Sequence, residues 1–540
     1  MNPDVTAKSP PGLLRSSAVV GTMTMLSRVL GLARDVILAA VIGASANADA
    51  FFIAFKIPNF LRRLFAEGAF AQAFVPVLAE CRENGGQAAV RALVDRVAGV
   101  LGGVLFVLTT LTLLAAPLVA GVFAPGYIAQ PQKFALTADL IRIAFPYLML
   151  ISLTGMCGAI LNSYGRFAVP AFTPVLLNLS LIGAALLAAP HFSEPAFALA
   201  WGVLFAGLIQ LLFQLPFLYR LDLVPRPRWE PRHPGVRQVM TLMIPALFGV
   251  SVSQLNLLFD TVLASFLPTG SVSWLYYSDR LTELPLGVFA IAVATVIMPT
   301  LSAQKSAARE DDYARTLDWA VRSVLLVGVP ASLALLILAE PILISLFHYG
   351  ALSERDIAMS ALSLRAYSLG LCAFMLIKVL APGFYARQDM VTPVRIGIRA
   401  MVANMVMNLV FVVPLMFYCG IGHVGLALAT SLSAFLNAGL LWRGLRREGV
   451  YRFDPQWRRY LFRLFFACVG MVLVLIYVTP HETLWLDWTW MQRGLRILGV
   501  CGVGALSYLL LLWLAGMRPA DVRAPSFSTL KSDGDRGGSA

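Results

Sequence analysis

Residues 97–119, VAGVLGGVLFVLTTLTLLAAPLV, contain no charged side chain. A membrane span needs about 20 mostly apolar residues to cross roughly 30 Å of hydrocarbon, so this run is long enough to lie across a bilayer. The stretch from Phe465 to Val478 has the same character, and similar runs recur along the whole chain. Composition points the same way. Of 540 residues, 59% are hydrophobic and 13% charged, against roughly 25% charged in a typical soluble protein. A mean hydropathy of +0.76 leaves too little polar surface to cover several water-soluble domains. The chain reads as an all-α polytopic membrane protein.

Apolar runs between polar breaks place spans near 17–41, 50–78, 94–118, 136–160, 167–189, 196–219, 238–267, 273–300, 317–339, 357–382, 392–417, 423–445, 460–479 and 490–515, about fourteen in all. Pro58, Pro245, Pro285 and Pro382 predict bent or broken helices. Such breaks are tolerated where neighbouring helices or a water-filled cavity satisfy the freed backbone groups. Met1–Ser17 is polar and Pro-rich with no small-residue cleavage site after it, so the first span is expected to act as its own insertion signal.

The net charge of +13 would suggest nucleic acid in a soluble chain, but here the basic residues sit in short loops between apolar runs. One set of loops is rich in them, above all Arg220–Arg237 and Arg443–Arg459. The alternate loops, such as Gly43–Ala48, Pro190–Pro195 and Pro268–Val272, have none, and the others add little beyond Lys133, Arg355 and Arg493. The positive-inside rule then puts both termini in the cytoplasm. No nucleic-acid partner is expected.

The chain repeats itself weakly at an offset of about 220 residues, an even number of spans. Tyr164-Gly165-Arg166 parallels Tyr385-Ala386-Arg387, Thr173-Pro174-Val175 parallels Thr392-Pro393-Val394, and Arg142 parallels Arg365. Parallel repeats of this kind predict two six-helix lobes around a central cavity, as in alternating-access transporters. The expected organisation is a cytoplasmic N-terminus (1–16), an N-lobe (17–222), a cytoplasmic linker (223–237), a C-lobe (238–446), two further helices (447–516) and a disordered Ser/Gly-rich cytoplasmic tail (517–540).

Charges at the bilayer centre cost at least ~2.5–3.5 kcal/mol, so they usually face a cavity or a partner. In the second span Asp49, Lys56, Arg63 and Glu67 fall within about 40° of one another on a helical wheel, with Asn59 and Arg62 further round. The first span brings Arg28, Arg34 and Asp35, and the eighth brings Ser273, Asp279, Arg280 and Glu283. Helix-end ion pairs and arginines reaching to the headgroups are the bland reading of single residues. As a set, the cations outnumber the acids. Surplus guanidinium in a membrane cavity selects an anion, and its forked donors match phosphate oxygens. The expected cargo is an amphiphile with a phosphate-bearing head.

No catalytic constellation competes: there is no Walker A loop, no HExxH and no GxSxG. The six cysteines form no CxxC pair and the five histidines are far apart in sequence. A transporter, not an enzyme, is expected, driven by an ion gradient, the membrane potential or product removal, since no ATP site is present.

The run MLSRVLGLARD (Met25–Asp35), then DAFF (Asp49–Phe52) and KIPNFLRRLFAEGAF (Lys56–Phe70), resembles the MurJ (MviN) family. These are bacterial lipid II flippases of the multidrug/oligosaccharidyl-lipid/polysaccharide exporter superfamily. GVSVSQ (Gly249–Gln254), SVSWLYYSDR (Ser271–Arg280) and VLAPGFYARQD (Val379–Asp389) extend the likeness over nearly the whole chain. The resemblance implies translocation of an undecaprenyl-pyrophosphate-linked peptidoglycan precursor across the bacterial inner membrane. It carries the family's cavity residues to Arg28, Arg34, Asp49, Lys56, Asn59, Arg62, Ser273, Asp279, Arg280 and Glu283, and favours Arg62 where the helical wheel favours Arg63. The last two helices resemble the family's lipid-tail groove. Some members bind sodium in the second lobe. Here Asp260, Asn404, Asn408 and Thr430 correspond, with Asn408 where a second carboxylate would be wanted. Cell-wall synthesis or division proteins are implied partners, and a monomer is the default. Two rivals remain at this stage: a cation-coupled drug or polysaccharide-lipid exporter of the same superfamily, which would want an acidic cavity, and a non-transporting scaffold for cell-wall enzymes.

Overall fold

A computed structural model describes residues 13–63, 70–451, 456–518 and 521, apart from the side chains of 13–18, 245–255 and 482. Every regular element among the described residues is helical. The chain divides into two compact units, Met1–Tyr277 with Leu346–Ser360, and Ser278–Ser345 with Ala361–Ala540.

The first unit holds α1 (Leu13–Ile42), α2 (Ala46–Arg62), α3 (Ala71–Leu114), α4 (Ala116–Phe123), α5 (Pro131–Ala144), α6 (Tyr147–Ser163), α7 (Ala168–Gly183), α8 (Pro195–Tyr219), α9 (Pro234–Ser265) and the start of α10 (Ser271–Pro285). Helix α1 packs on α7, α2 on α5, α8 on both α6 and α7, and α3 on α6 and α9. Gly86 breaks α3 with φ +64, a left-handed conformation that glycine adopts without steric cost, so this element is two rods joined at a corner. The residues from 71 to that corner complete the second expected span, which α2 begins. Gly43, at φ +57, closes the α1–α2 turn, and a Cβ there would lie 2.6 Å from the Ala351 carbonyl oxygen.

The outside of this unit is apolar. Leu114, Leu118 and Leu187 are more than two-thirds exposed, the inverse of a water-soluble surface and the condition for a lipid-facing one. The linker after α8 is strapped onto α3. Asp95, buried within α3, accepts the Arg226 amide on its carboxylate (2.8 Å) and the Arg228 amide on its carbonyl (2.9 Å). Small residues allow the approach: a Cβ on Gly99 would lie 2.2 Å from the Arg228 oxygen.

The second unit continues α10 and adds α11 (Ile291–Ser306), α12 (Glu310–Ile337), most of α13 (Ala339–Phe347) and of α14 (Glu354–Leu380), α15 (Pro382–Tyr385), α16 (Val391–Cys419), α17 (Gly422–Arg447), α18 (Gln456–Val478), α19 (Glu482–Asp487) and α20 (Trp490–Leu514). Helices α18 and α20 pack closely because Gly470 faces Leu511 and Gly504 faces Leu475. Both dock on α12, where the Tyr508 hydroxyl donates to the Leu326 carbonyl at 2.6 Å.

Eleven helical stretches among the described residues are long and apolar enough to cross a membrane. Some bounds lie close to the expected spans, as Ala168–His191 against 167–189 and Gly422–Arg447 against 423–445, whereas Ala71–Leu114 begins well before the expected 94–118. The other three expected spans overlap α1, α2 and α9, none of which is among the eleven. Helix α1 carries Arg28, Arg34 and Asp35, α2 has 17 residues, and α9 runs through the undescribed side chains of 245–255.

Candidate functional site

Ser45 caps α2 by accepting the Ala48 amide at 3.3 Å, which sets Asp49 in the first turn of the helix. Asp49 is 1% exposed. Its Oδ2 accepts the Lys133 ammonium at 2.9 Å and the Gly270 amide at 2.8 Å. Its Oδ1 accepts the Ser273 amide at 3.0 Å and the Ser273 hydroxyl at 2.7 Å. The carboxylate thus satisfies the orphan donors at the start of α10 and meets the positive end of that helix. Lys133 also donates to the Thr269 hydroxyl at 3.3 Å and lies 4.1 Å above the Tyr127 ring. Burial, with the Asp49 charge second, holds the Tyr127 phenol protonated far above its ordinary range. Asp49 and Ser273, both named as cavity residues from the sequence, meet each other inside packed protein.

Arg34 is also enclosed. Its Nε and Nη2 reach Asp35 Oδ1 at 2.9 and 2.7 Å, Nη1 reaches Asn178 Oδ1 at 3.0 Å, and Nη2 reaches the Tyr276 hydroxyl at 3.2 Å. Tyr276 donates in turn to Asp35 at 2.9 Å and stacks on Phe52, with ring centres 4.0 Å apart. Asn178 fixes the register of α7 on α1 by donating to the Ser27 carbonyl at 2.9 Å.

Among the described side chains, the other cations of α1 and α2 keep accessible surface. Arg28, Lys56 and Arg62 are half-buried and Arg63 is exposed. Arg62 donates to Asn59 at 3.4 Å, and Asn59 bonds back to the Phe55 carbonyl at 3.1 Å. Lys56, Asn59 and Arg62 follow at three-residue intervals along one side of α2. Glu67 lies outside the described residues. In the second unit Arg280 pairs with Glu283 at 2.8 Å, both partly exposed, beside the half-buried Asp279. A partly exposed ion pair of this kind is worth only about 0–1 kcal/mol.

Of the expected sodium ligands, Asn404, Asn408 and Thr430 come together in the second unit. Asn408 donates to Asn404 at 3.0 Å, and Asn404 donates to Thr430 at 3.5 Å. Asp260 belongs to the first unit. No cluster of three His, Cys, Asp or Glu side chains suited to a metal occurs among the described residues.

Sequence reasoning took Lys133 for a loop cation and passed over Asn178. The expected span begins at 136, whereas α5 starts at Pro131, so Lys133 stands in a helical first turn at 5% exposure. A lysine there opposes the helix dipole, which is a signal that it needs a carboxylate.

An all-helical fold of long apolar spans, with charge stationed along them, defines a polytopic membrane protein. A solved structure titled as an inward-facing MATE-family multidrug transporter of the MOP superfamily shares the fold, with a TM-score of 0.64 at 14% identity over 80% of this chain and 98% of its own. More specifically, a sequence model of the family described as "Lipid II flippase MurJ" matches residues 38–492, and the chain belongs to that family. A "probable lipid II flippase MurJ" of Vibrio cholerae is 50% identical, covering 95% of this chain and 98% of its own. The "lipid II flippase MurJ" of Burkholderia cenocepacia is 43% identical, covering 95% and 99%. A solved lipid II flippase MurJ in an inward closed conformation has a TM-score of 0.75 at 25% identity over 92% of this chain and 98% of its own.

Proposed function

We propose that this protein is a lipid II flippase of the bacterial inner membrane, carrying the undecaprenyl-pyrophosphate-linked peptidoglycan precursor from the cytoplasmic to the periplasmic leaflet. What supports the reading is likeness to flippases along nearly the whole chain at up to 50% identity, joined to cations that keep accessible surface on apolar helices. Arg28, Lys56 and Arg62 of the first unit grip the pyrophosphate and polar head, while the polyprenyl tail stays in lipid; Arg280 is a separate candidate contact in the second unit. Arg34, Asp49 and Ser273 act differently: they hold α1, α2 and the start of α10 in place so that the gripping side chains are presented.

Alternating access exchanges the side to which the grip opens, and differential affinity for the two states drives the exchange. Both termini are cytoplasmic by the distribution of Lys and Arg. The membrane potential acts on the cationic grip with ~2.3 kcal/mol per charge per 100 mV. Sodium held by Asn404, Asn408 and Thr430 is the alternative coupling. The protein works as a monomer within the cell-wall synthesis machinery.

The test is complementation after depletion of the native protein. Arg28→Ala and Arg280→Ala, each expressed at the normal level, should cut lipid II export at least about tenfold, the effect of losing ~1.4 kcal/mol of headgroup binding. Undiminished export by either variant would overturn the anion grip.

A further inference from the structure

A cavity of about 110 Å³ lies entirely within the first unit, between α3, α6 and the start of α9. It sits inside stretches long and apolar enough to cross a membrane, Ala71–Leu114 and Pro131–Ser163. Its wall is hydrocarbon: Val100 and Leu105 of α3 and Val239 of α9 are buried around it. Val104 and Met240 stand exposed at its rim. Ser152 of α6 is the only polar residue that lines it among the described residues.

That serine is 1% exposed, yet its hydroxyl has no hydrogen-bond partner. The usual partner of a helical hydroxyl is the carbonyl four residues back. Thr154 and Ser163, on the same helix, use it, donating to Leu150 at 2.8 Å and to Ala159 at 2.9 Å. Ser152 does not. A buried hydroxyl without a partner is destabilising, so one retained on a cavity wall points to an occupant with a complementary group. A lipid tail would fill the space and bring the hydroxyl nothing. The volume sets the size, since an apolar cavity of roughly 150 Å³ takes one benzene ring. Phe70, Met240 and Met243 on the wall favour an aromatic occupant, because thioether sulfur packs well against ring edges.

We propose that this cavity is a binding site for a compact phenol, its ring held between α3 and α9 and its hydroxyl bonded to Ser152 Oγ. Small-molecule sites have this make-up, an apolar enclosure with one placed polar group. A ring seated there touches three helices of one unit and fastens α9 to α3. The inference does not depend on what the protein transports.

The experiment is photolabelling of the purified full chain in detergent with 4-azidophenol, the adducts being mapped by peptide mass spectrometry. Adducts should concentrate in residues 97–108 and 236–243. Unlabelled p-cresol should protect these peptides, and p-xylene, with a methyl group in place of the hydroxyl, should protect them less. Ser152→Ala should raise the p-cresol needed for half-protection about three- to tenfold, the effect of losing one neutral hydrogen bond. The variant removes only an unpartnered hydroxyl, so it should fold. Val104→Trp, at the exposed rim, should block entry and abolish the labelling; should it express poorly, Ser152→Ala decides alone. Equal protection by p-cresol and p-xylene would overturn the proposal, showing a gap that any hydrocarbon fills. Unchanged half-protection in Ser152→Ala, or adducts spread evenly over the exposed faces of α16 and α20, would overturn it as well.

Discussion

Asp49 caps a helix that is not its own: its Oδ1 receives both the amide and the hydroxyl of Ser273, at 3.0 and 2.7 Å, across 224 residues of sequence. Two helix starts thereby share one carboxylate, since Asp49 itself sits in the first turn of α2. The arrangement joins α2 to α10 without exposing a charge to lipid, because Lys133 balances it.

The two members of that pair should not cost the same when removed. Lys133→Ala leaves Asp49 with three donors from Gly270 and Ser273, so the expected loss is about 1–3 kcal/mol. Asp49→Ala leaves a buried ammonium facing only the Thr269 hydroxyl and the Tyr127 ring, and strips the start of α10, so about 3–5 kcal/mol is expected. Detergent-unfolding curves of the two variants, read by tryptophan fluorescence, check the order. Equal losses would show that the helix start contributes nothing.

The linker strap makes a steric prediction. Any side chain at Gly99 points into the Arg228 backbone, where even a Cβ would sit 2.2 Å from the oxygen. Gly99→Val should lift the strap off α3, at a cost of about 1–3 kcal/mol for overpacking. The freed Arg228–Trp229 peptide bond should then be cut by trypsin faster than in wild type. Gly102→Val, at a position with open space around it, is the control that should cut at the wild-type rate.

Asp389 starts α16 by accepting the Val391 and Thr392 amides at 3.1 and 2.9 Å. The Thr392 hydroxyl and its amide, more than any neighbouring charge, hold the carboxyl below its ordinary value of 3.8. A lowered folded value means that the cap stabilises above the ordinary value and is lost as pH falls through the lower one. Asp389→Ala should cost about 1 kcal/mol at neutral pH, seen as roughly fivefold faster hydrogen exchange at Val391 and Thr392. Wild type and variant should converge once the pH has fallen through the lowered value.

Span positions were legible because lipid leaves no choice: apolar runs of the required length must become helices, and their polar breaks mark the ends. The clustering of charge on α1, α2 and α10 was legible for the same reason. What each charge does was not. Arg34 is adjacent in sequence to Asp35, yet its other partners, Asn178 and Tyr276, lie 144 and 242 residues away. Periodicity reports the face on which a residue stands, not what another element brings to it. The helical wheel also assumes a straight helix; Pro58 lies between Asp49 and the Arg62–Arg63 pair, and it is Arg62 that is half-buried while Arg63 is exposed.

Arg28 and Arg34 stand six positions apart on one helix and should respond oppositely to lysine. Arg34 uses three of its nitrogens on Asp35, Asn178 and Tyr276 at once, a planar fork that an ammonium cannot reproduce. Arg34→Lys should therefore strand the Asn178 and Tyr276 acceptors and destabilise the fold by about 2–3 kcal/mol. Arg28 forms no ion pair among the described residues and contributes a cation to the proposed grip. Arg28→Lys keeps that charge and should unfold at the wild-type midpoint while losing the bidentate part of headgroup binding, a few-fold decrease in lipid II export. Unfolding midpoints and export measured on the same two strains separate the roles. A stable Arg34→Lys protein together with a destabilised Arg28→Lys protein would reverse the assignment, making Arg28 the buried anchor and Arg34 the residue that meets cargo.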